Sequence, residues 1–153
     1  MEVLPGVYPR AVMSEYRDRQ REEAHMNGFD VQTHAGEQMV NITDQLCQAV
    51  KDAGLGDGVA TAFTPHTSCG LTITEGSDPA VAEDLLRQLD MLVPADHPHY
   101  RHAGGNSAAH IKTAIVGSSL QFIVKGGAVQ LGPWQGVFLC EFDGPRIRHV
   151  WLR

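Results

Sequence analysis

The sequence predicts an α+β fold: a mostly antiparallel β-sandwich or half-barrel with two to three packed helices. Three observations carry this. The last third reads as four short strands separated by the turn signals Lys125-Gly126-Gly127-Ala128, Gly132-Pro133 and Asp143-Gly144-Pro145. The first two thirds hold three segments with helical spacing and recognisable caps. With 153 residues, 42% of them hydrophobic, the chain can bury one core without disulfides or a structural metal.

Residues 1–27 form a polar leader. The run Ser14-Glu15-Tyr16-Arg17-Asp18-Arg19-Gln20-Arg21-Glu22-Glu23 mixes charges and has almost no apolar periodicity. Met26, just before the first regular segment, offers an alternative translation start. Residues 28–153 form the single domain. Alternation at 29–33 and 39–42 predicts two strands. A helix follows, with Thr43 as N-cap, Leu46, Ala49, Val50 and Ala53 on one face and Gly54 just beyond its end.

Residues 59–64 and 71–74 read as a pair of adjacent strands joined by the loop Pro65-His66-Thr67-Ser68-Cys69-Gly70. The second helix has Ser77 or Asp78 as cap and Pro79 in its first turn. Val81, Leu85, Leu89 and Leu92 form its buried face, and Pro94 stops it. Residues 96–106 are too polar for a core and predict a surface loop. They lead into a helix over 107–116 ended by Gly117. Strands are expected at 120–124, 129–131, 137–142 and 146–152.

Twelve Lys and Arg against 18 Asp and Glu give a net charge of −6, which argues against a broad nucleic-acid-binding surface. No apolar run approaches the roughly 20 residues of a membrane-spanning helix, and no secretory signal opens the chain. A cytoplasmic protein with neither nucleic-acid nor membrane partners is the expectation. Cys47, Cys69 and Cys140 are widely spaced, so they read as reduced thiols.

Histidine is the unusual residue. Five of eight lie between His66 and His110, a density that suits a transition-metal site or acid–base work near neutral pH. The loop at 64–70 places an imidazole, two hydroxyls and a thiol at a strand end. Thr67 and Ser68 can equally satisfy a turn there, and Cys69 reads as a packing residue. Glu75 and Asp78 either cap the following helix or join Asp84 in holding a cation. Lys112 is either a solvated helix residue or part of an anion site. Trp134 is a hydrophobic plug or a ring platform. Arg146 and Arg148 point the same way on the last strand, toward a solvated edge or toward an anion.

Taken together, His66-Thr67-Ser68, Glu75 with Asp78-Pro79, Asp84, Tyr100-Arg101-His102, Asn106, His110-Ile111-Lys112, Gly117-Ser118-Ser119, Leu131-Gly132-Pro133-Trp134-Gln135 and Glu141 with Gly144-Pro145-Arg146 resemble the YjbQ-like family over residues 29–153. Cys69 departs from the family pattern, as does Pro133 where Gly-Thr-Trp-Gln is more usual. The resemblance implies a homotrimer with a polar cluster near the subunit boundaries. It also implies secondary thiamine-phosphate synthase activity, condensing a pyrimidine diphosphate with a thiazole phosphate. On that reading His66, His102, His110, Glu75 and Asp78 are catalytic. His66, His102, His110 and Asp84 hold a divalent metal, magnesium or zinc. Ser68, Asn106, Lys112, Trp134, Gln135 and Arg146 contact a phosphorylated small-molecule substrate. The alternatives are a metal-dependent hydrolase of a phosphorylated or ester metabolite, and a non-catalytic metal- or anion-binding protein.

Overall fold

A computed structural model describes residues 27–153. The expectation for the leader therefore lies, but for Asn27, outside the described residues. In chain order the elements are β1 (Gly28–Gln32), β2 (Gln38–Asn41), α1 (Thr43–Asp52), β3 (Gly58–Phe63), β4 (Cys69–Glu75), α2 (Pro79–Leu92), α3 (Ser107–Val116), β5 (Ser119–Lys125), β6 (Ala128–Gln130), β7 (Gln135–Glu141) and β8 (Ile147–Leu152). Every strand pairing is antiparallel. A curled five-stranded sheet runs β1-β8-β3-β5-β6, and a three-stranded sheet runs β2-β7-β4. The α+β half-barrel expectation therefore holds.

The main core lies between the sheets. Val31, Ala60, Ala62, Phe122, Val124, Val150 and Leu152 come from the larger sheet and meet Leu71, Val137 and Leu139 of the smaller one, while α1 adds Leu46 and Val50. Such alternating inward positions are what a sheet with one buried face requires. A second cluster of Ala109, Cys140 and Phe142 seats α3 on the outer side of the small sheet.

Several local expectations need correction. β3 and β4 do not pair: β3 lies between β5 and β8, and β4 lies against β7. The intervening loop is a crossover between sheets, pinned at one end by Thr64 N–H donating to the Ser118 carbonyl and at the other by Phe142 N–H donating to that of Ser68. Thr43 is the first helical residue of α1 rather than its cap. Its hydroxyl accepts from Val137 N–H at 2.9 Å, tying α1 to β7.

Helix α2 buries none of its residues fully. Leu86 and Leu89 pack against the second cluster, whereas Leu92 is 65% exposed, because α2 touches the sheet along one narrow line. Its cap is as expected, with the Asp78 side chain accepting from Ala80 N–H at 3.0 Å. Helix α3 ends at Gly117, whose φ of 100° favours glycine. At the same place Leu71 N–H donates to the Gly117 carbonyl, and a Cβ on Gly70 would come within 2.7 Å of that oxygen. Two glycines thus let β4 press against the end of α3.

Candidate active site

The crossover loop and α3 build one pocket. It has a volume of about 650 Å³, and its wall includes His66, Thr67, His110, Thr113 and Ser118. Among the described residues, no Lys, Arg, Asp or Glu lines it.

Each imidazole in that wall is fixed by a backbone group. The Nδ1 of His110 lies 2.8 Å from the Thr67 carbonyl oxygen. A carbonyl only accepts, so Nδ1 carries the proton and Nε2 keeps a lone pair. His66 is held the opposite way round. Its Nε2 accepts from His149 N–H at 2.9 Å, which leaves the proton of the neutral ring on Nδ1. Its ring stacks on that of His149 with centroids 5.4 Å apart. Burial pushes the His66 pKa down to about 4, and the nearby Arg148 cation adds to this, so the ring is neutral at pH 7.

His102 stands edge-on to His110 with ring centroids 5.1 Å apart. These two imidazoles are two of the three protein ligands that a catalytic zinc usually takes. Among the described residues of one chain, no three His, Cys, Asp or Glu side chains converge as a metal-binding group, so a single chain does not complete the expected site.

Behind the pocket lies a buried ion pair. Arg148 donates from Nε to Glu141 Oε2 at 2.7 Å and from Nη2 to Glu141 Oε1 at 2.5 Å. The same Nη2 also donates to Ser68 Oγ at 2.9 Å. Glu141 accepts further from the Thr33 hydroxyl and from Phe142 and Asp143 N–H. Burial alone would raise the Glu141 carboxyl, but these hydrogen bonds hold it below the usual range.

The remaining residues singled out from the sequence lie elsewhere. Lys112 is not solvated. Its side chain is fully buried, and it donates to Glu37 at 2.6 Å and to Asp90. Arg146 is paired with Asp143 at 2.8 Å, and Asn106 donates to the same carboxylate at 2.9 Å. Ser68 faces Arg148. Glu75 accepts from Ser77 N–H and Asp78 N–H, both at 2.8 Å, and from the Ser77 hydroxyl, which with the backbone bonds keeps its carboxyl below the ordinary value. Gln135 pairs with Glu75 across β7 and β4, and the neighbouring Trp134 is 67% exposed. Glu75, Asp78, Trp134 and Gln135 therefore gather at the far end of β4, about 20 Å of strand from the His66 loop at ~3.3 Å per residue. Asp84 is exposed and pairs with Arg87 at 3.6 Å.

Sequence reading assigned no site role to His149 or Thr113, and it left Arg148 between a solvated edge and an anion. Arg148 left a signal in its alternation with Arg146, whereas nothing local in the sequence marks Thr113 or the backbone N–H of His149.

A curled antiparallel α+β domain with a pair of backbone-oriented imidazoles at the junction of its two sheets defines the class. Comparison then places the chain: a family model described as "UPF0047 protein YjbQ-like" matches residues 27–153, and the protein belongs to that family. The UPF0047 protein YugU of Bacillus subtilis is 41% identical over 125 residues, covering 82% of this chain and 95% of the relative. A UPF0047 protein of Methanocaldococcus jannaschii is 40% identical, covering 82% and 90%. Among solved structures, a conserved hypothetical protein from Thermus thermophilus shares 47% identity at a TM-score of 0.76. It covers 82% of this chain and 97% of that one. Among the described residues, no helix is long and apolar enough to cross a membrane.

Proposed function

We propose that the protein is a hydrolase of an ester or phosphorylated small molecule, working by acid–base chemistry in the His66–His110 pocket. The observation that carries this reading is the opposed orientation of the two imidazoles, each held by the backbone. His110 presents a lone pair on Nε2 and His66 a proton on Nδ1. His110 removes a proton from water as its oxygen attacks the carbonyl carbon or phosphorus. His66 donates a hydrogen bond to the oxygen on which charge develops and stays neutral, having little tendency to protonate. The proton on His110 then passes to the leaving oxygen as its bond to carbon or phosphorus breaks.

A divalent metal is a second reading, favoured by His102 beside His110. Bound there, a metal would polarise an oxygen or lower the pKa of a water. Imidazole donors suit zinc better than magnesium, and further ligands would have to come from a neighbouring copy. A homotrimer supplies such copies. It is supported by exposed apolar side chains on the outer face of the larger sheet, where Val59 (69% exposed) lies directly opposite Ile123 (58%).

Thiamine-phosphate condensation rests on the family resemblance and needs cations at a departing diphosphate. Lys112 and Arg146 are already paired, so we rank it below hydrolysis. The test is one purified protein under two sets of conditions. The first is a panel of carboxyl esters and phosphomonoesters, with chelator, magnesium or zinc. The second is the pyrimidine diphosphate with the thiazole phosphate and magnesium. Turnover in the first set alone is expected. Thiamine phosphate as the only product overturns the hydrolase reading.

A further inference from the structure

We infer that Arg148, which does not line the pocket, is a positioning residue for it: anchored by Glu141, its guanidinium fixes the Thr67–Ser68 backbone and so decides where His110 carries its proton. The inference rests on the acid–base reading above but is tested without turnover.

The geometry runs in one direction. Arg148 is 3% exposed and spends its planar fork on the two Glu141 oxygens, while Nη2 also reaches Ser68 Oγ at 2.9 Å and the Ser68 carbonyl at 3.4 Å. That carbonyl also accepts from Phe142 N–H at 3.1 Å, so Ser68 is gripped from two sides. Ser68 Cα is shared with the planar peptide unit that carries the Thr67 carbonyl, so anchoring Ser68 through its hydroxyl and carbonyl leaves that acceptor for His110 Nδ1–H only the rotation about the Ser68 N–Cα bond. On the same strand the next residue, His149, gives its N–H to His66 Nε2. One strand, β8, thus stands behind both imidazoles, through the Arg148 side chain for His110 and the His149 backbone for His66.

A buried ion pair is weak evidence for stability, since apolar residues of similar volume often serve as well or better. Its value here is geometric. A lysine offers a single point charge and cannot reproduce the fork that grips Glu141 and Ser68 together. The charged and titratable groups around His66 are Arg148, His149 and Arg146 from the β8 segment, Glu141 from β7 and, across the pocket, His110.

The experiment is a long-range proton–nitrogen correlation spectrum of the histidine rings at pH 7.5. It compares wild type with Arg148→Lys and with the neutral double variant Arg148→Gln/Glu141→Gln, which keeps one acceptor oxygen for the Phe142 and Asp143 N–H groups. The wild type is expected to show a single Nδ1–H tautomer at both His66 and His110. Either folded variant is expected to lose it at His110, giving a mixture with the Nε2–H form. A folded double variant with the His110 tautomer unchanged would overturn the inference. Failure of the hydrolase reading would instead appear as inert wild-type protein with these spectra as expected.

Discussion

The Nδ1 of His110 sits 2.8 Å from the carbonyl oxygen of Thr67, 43 residues earlier in the chain. That bond joins α3 to the crossover loop and leaves Nε2 of His110, a residue of the pocket wall, without a proton in the neutral ring. Replacing His110 by Gln should leave the fold intact, because the residue is only half-buried, and should lower kcat by about 10²-fold or more. Thermal unfolding and steady-state kinetics measured on the same preparation check both halves.

His66 makes stability depend on pH in a defined window. Its folded pKa of about 4 lies below the ordinary 6.5, so between those values the unfolded chain binds more protons. Its contribution is complete above pH 6.5 and is lost as pH falls toward 4. Urea midpoints at pH 7.5 and pH 5 should therefore drop more for wild type than for His66→Asn.

Lys112 is fully buried against carboxylates from two other segments. Burial raises the Glu37 carboxyl, and the ammonium opposes this. Lys112→Met should cost about 3 kcal/mol, the low end for a broken buried pair, since the Glu37 and Asp90 side chains are 29% and 54% exposed. Adding Glu37→Gln and Asp90→Asn should restore most of the loss in chemical denaturation.

Thr113 Oγ1 is buried in the pocket wall without a hydrogen-bond partner among the described residues. Thr113→Val keeps the shape and removes the unpaired oxygen, and should raise stability by about 1 kcal/mol. A rise in melting temperature with unchanged KM is the expected pattern.

Asp78 caps α2 at the opposite end of β4 from the histidines. Asp78→Ala should cost about 1 kcal/mol of stability and leave kcat unchanged. A large loss of kcat would return this carboxylate to the catalytic group.

Local chemistry was legible in the sequence. The cap at Asp78, the stop at Gly117 and the strand alternation all depend on residues within a turn or two. The shared pocket of His66 and His110 was legible through the family resemblance, since no spacing rule joins residues 44 apart. What escaped was non-local. The loop at 64–68 looks like a hairpin because a crossover of that length carries the same polar residues, and only the strands' distant partners tell them apart. Lys112 read as solvated or anion-binding because Glu37 and Asp90 come from elsewhere in the chain, and Arg148 as an edge or anion-binding residue because Glu141 and Ser68 are contributed by another strand and by the crossover loop. Burial of a charge is decided by such partners, which hydrophobic periodicity does not register.

The central claim is that His110 acts as a base through Nε2. The most direct measurement is the rate of ester and phosphomonoester hydrolysis by wild type and His110→Gln, in chelator and at equal folded concentration. Wild type should turn substrate over at a rate that falls about 100-fold or more in the variant. Equal rates in the two proteins would contradict it.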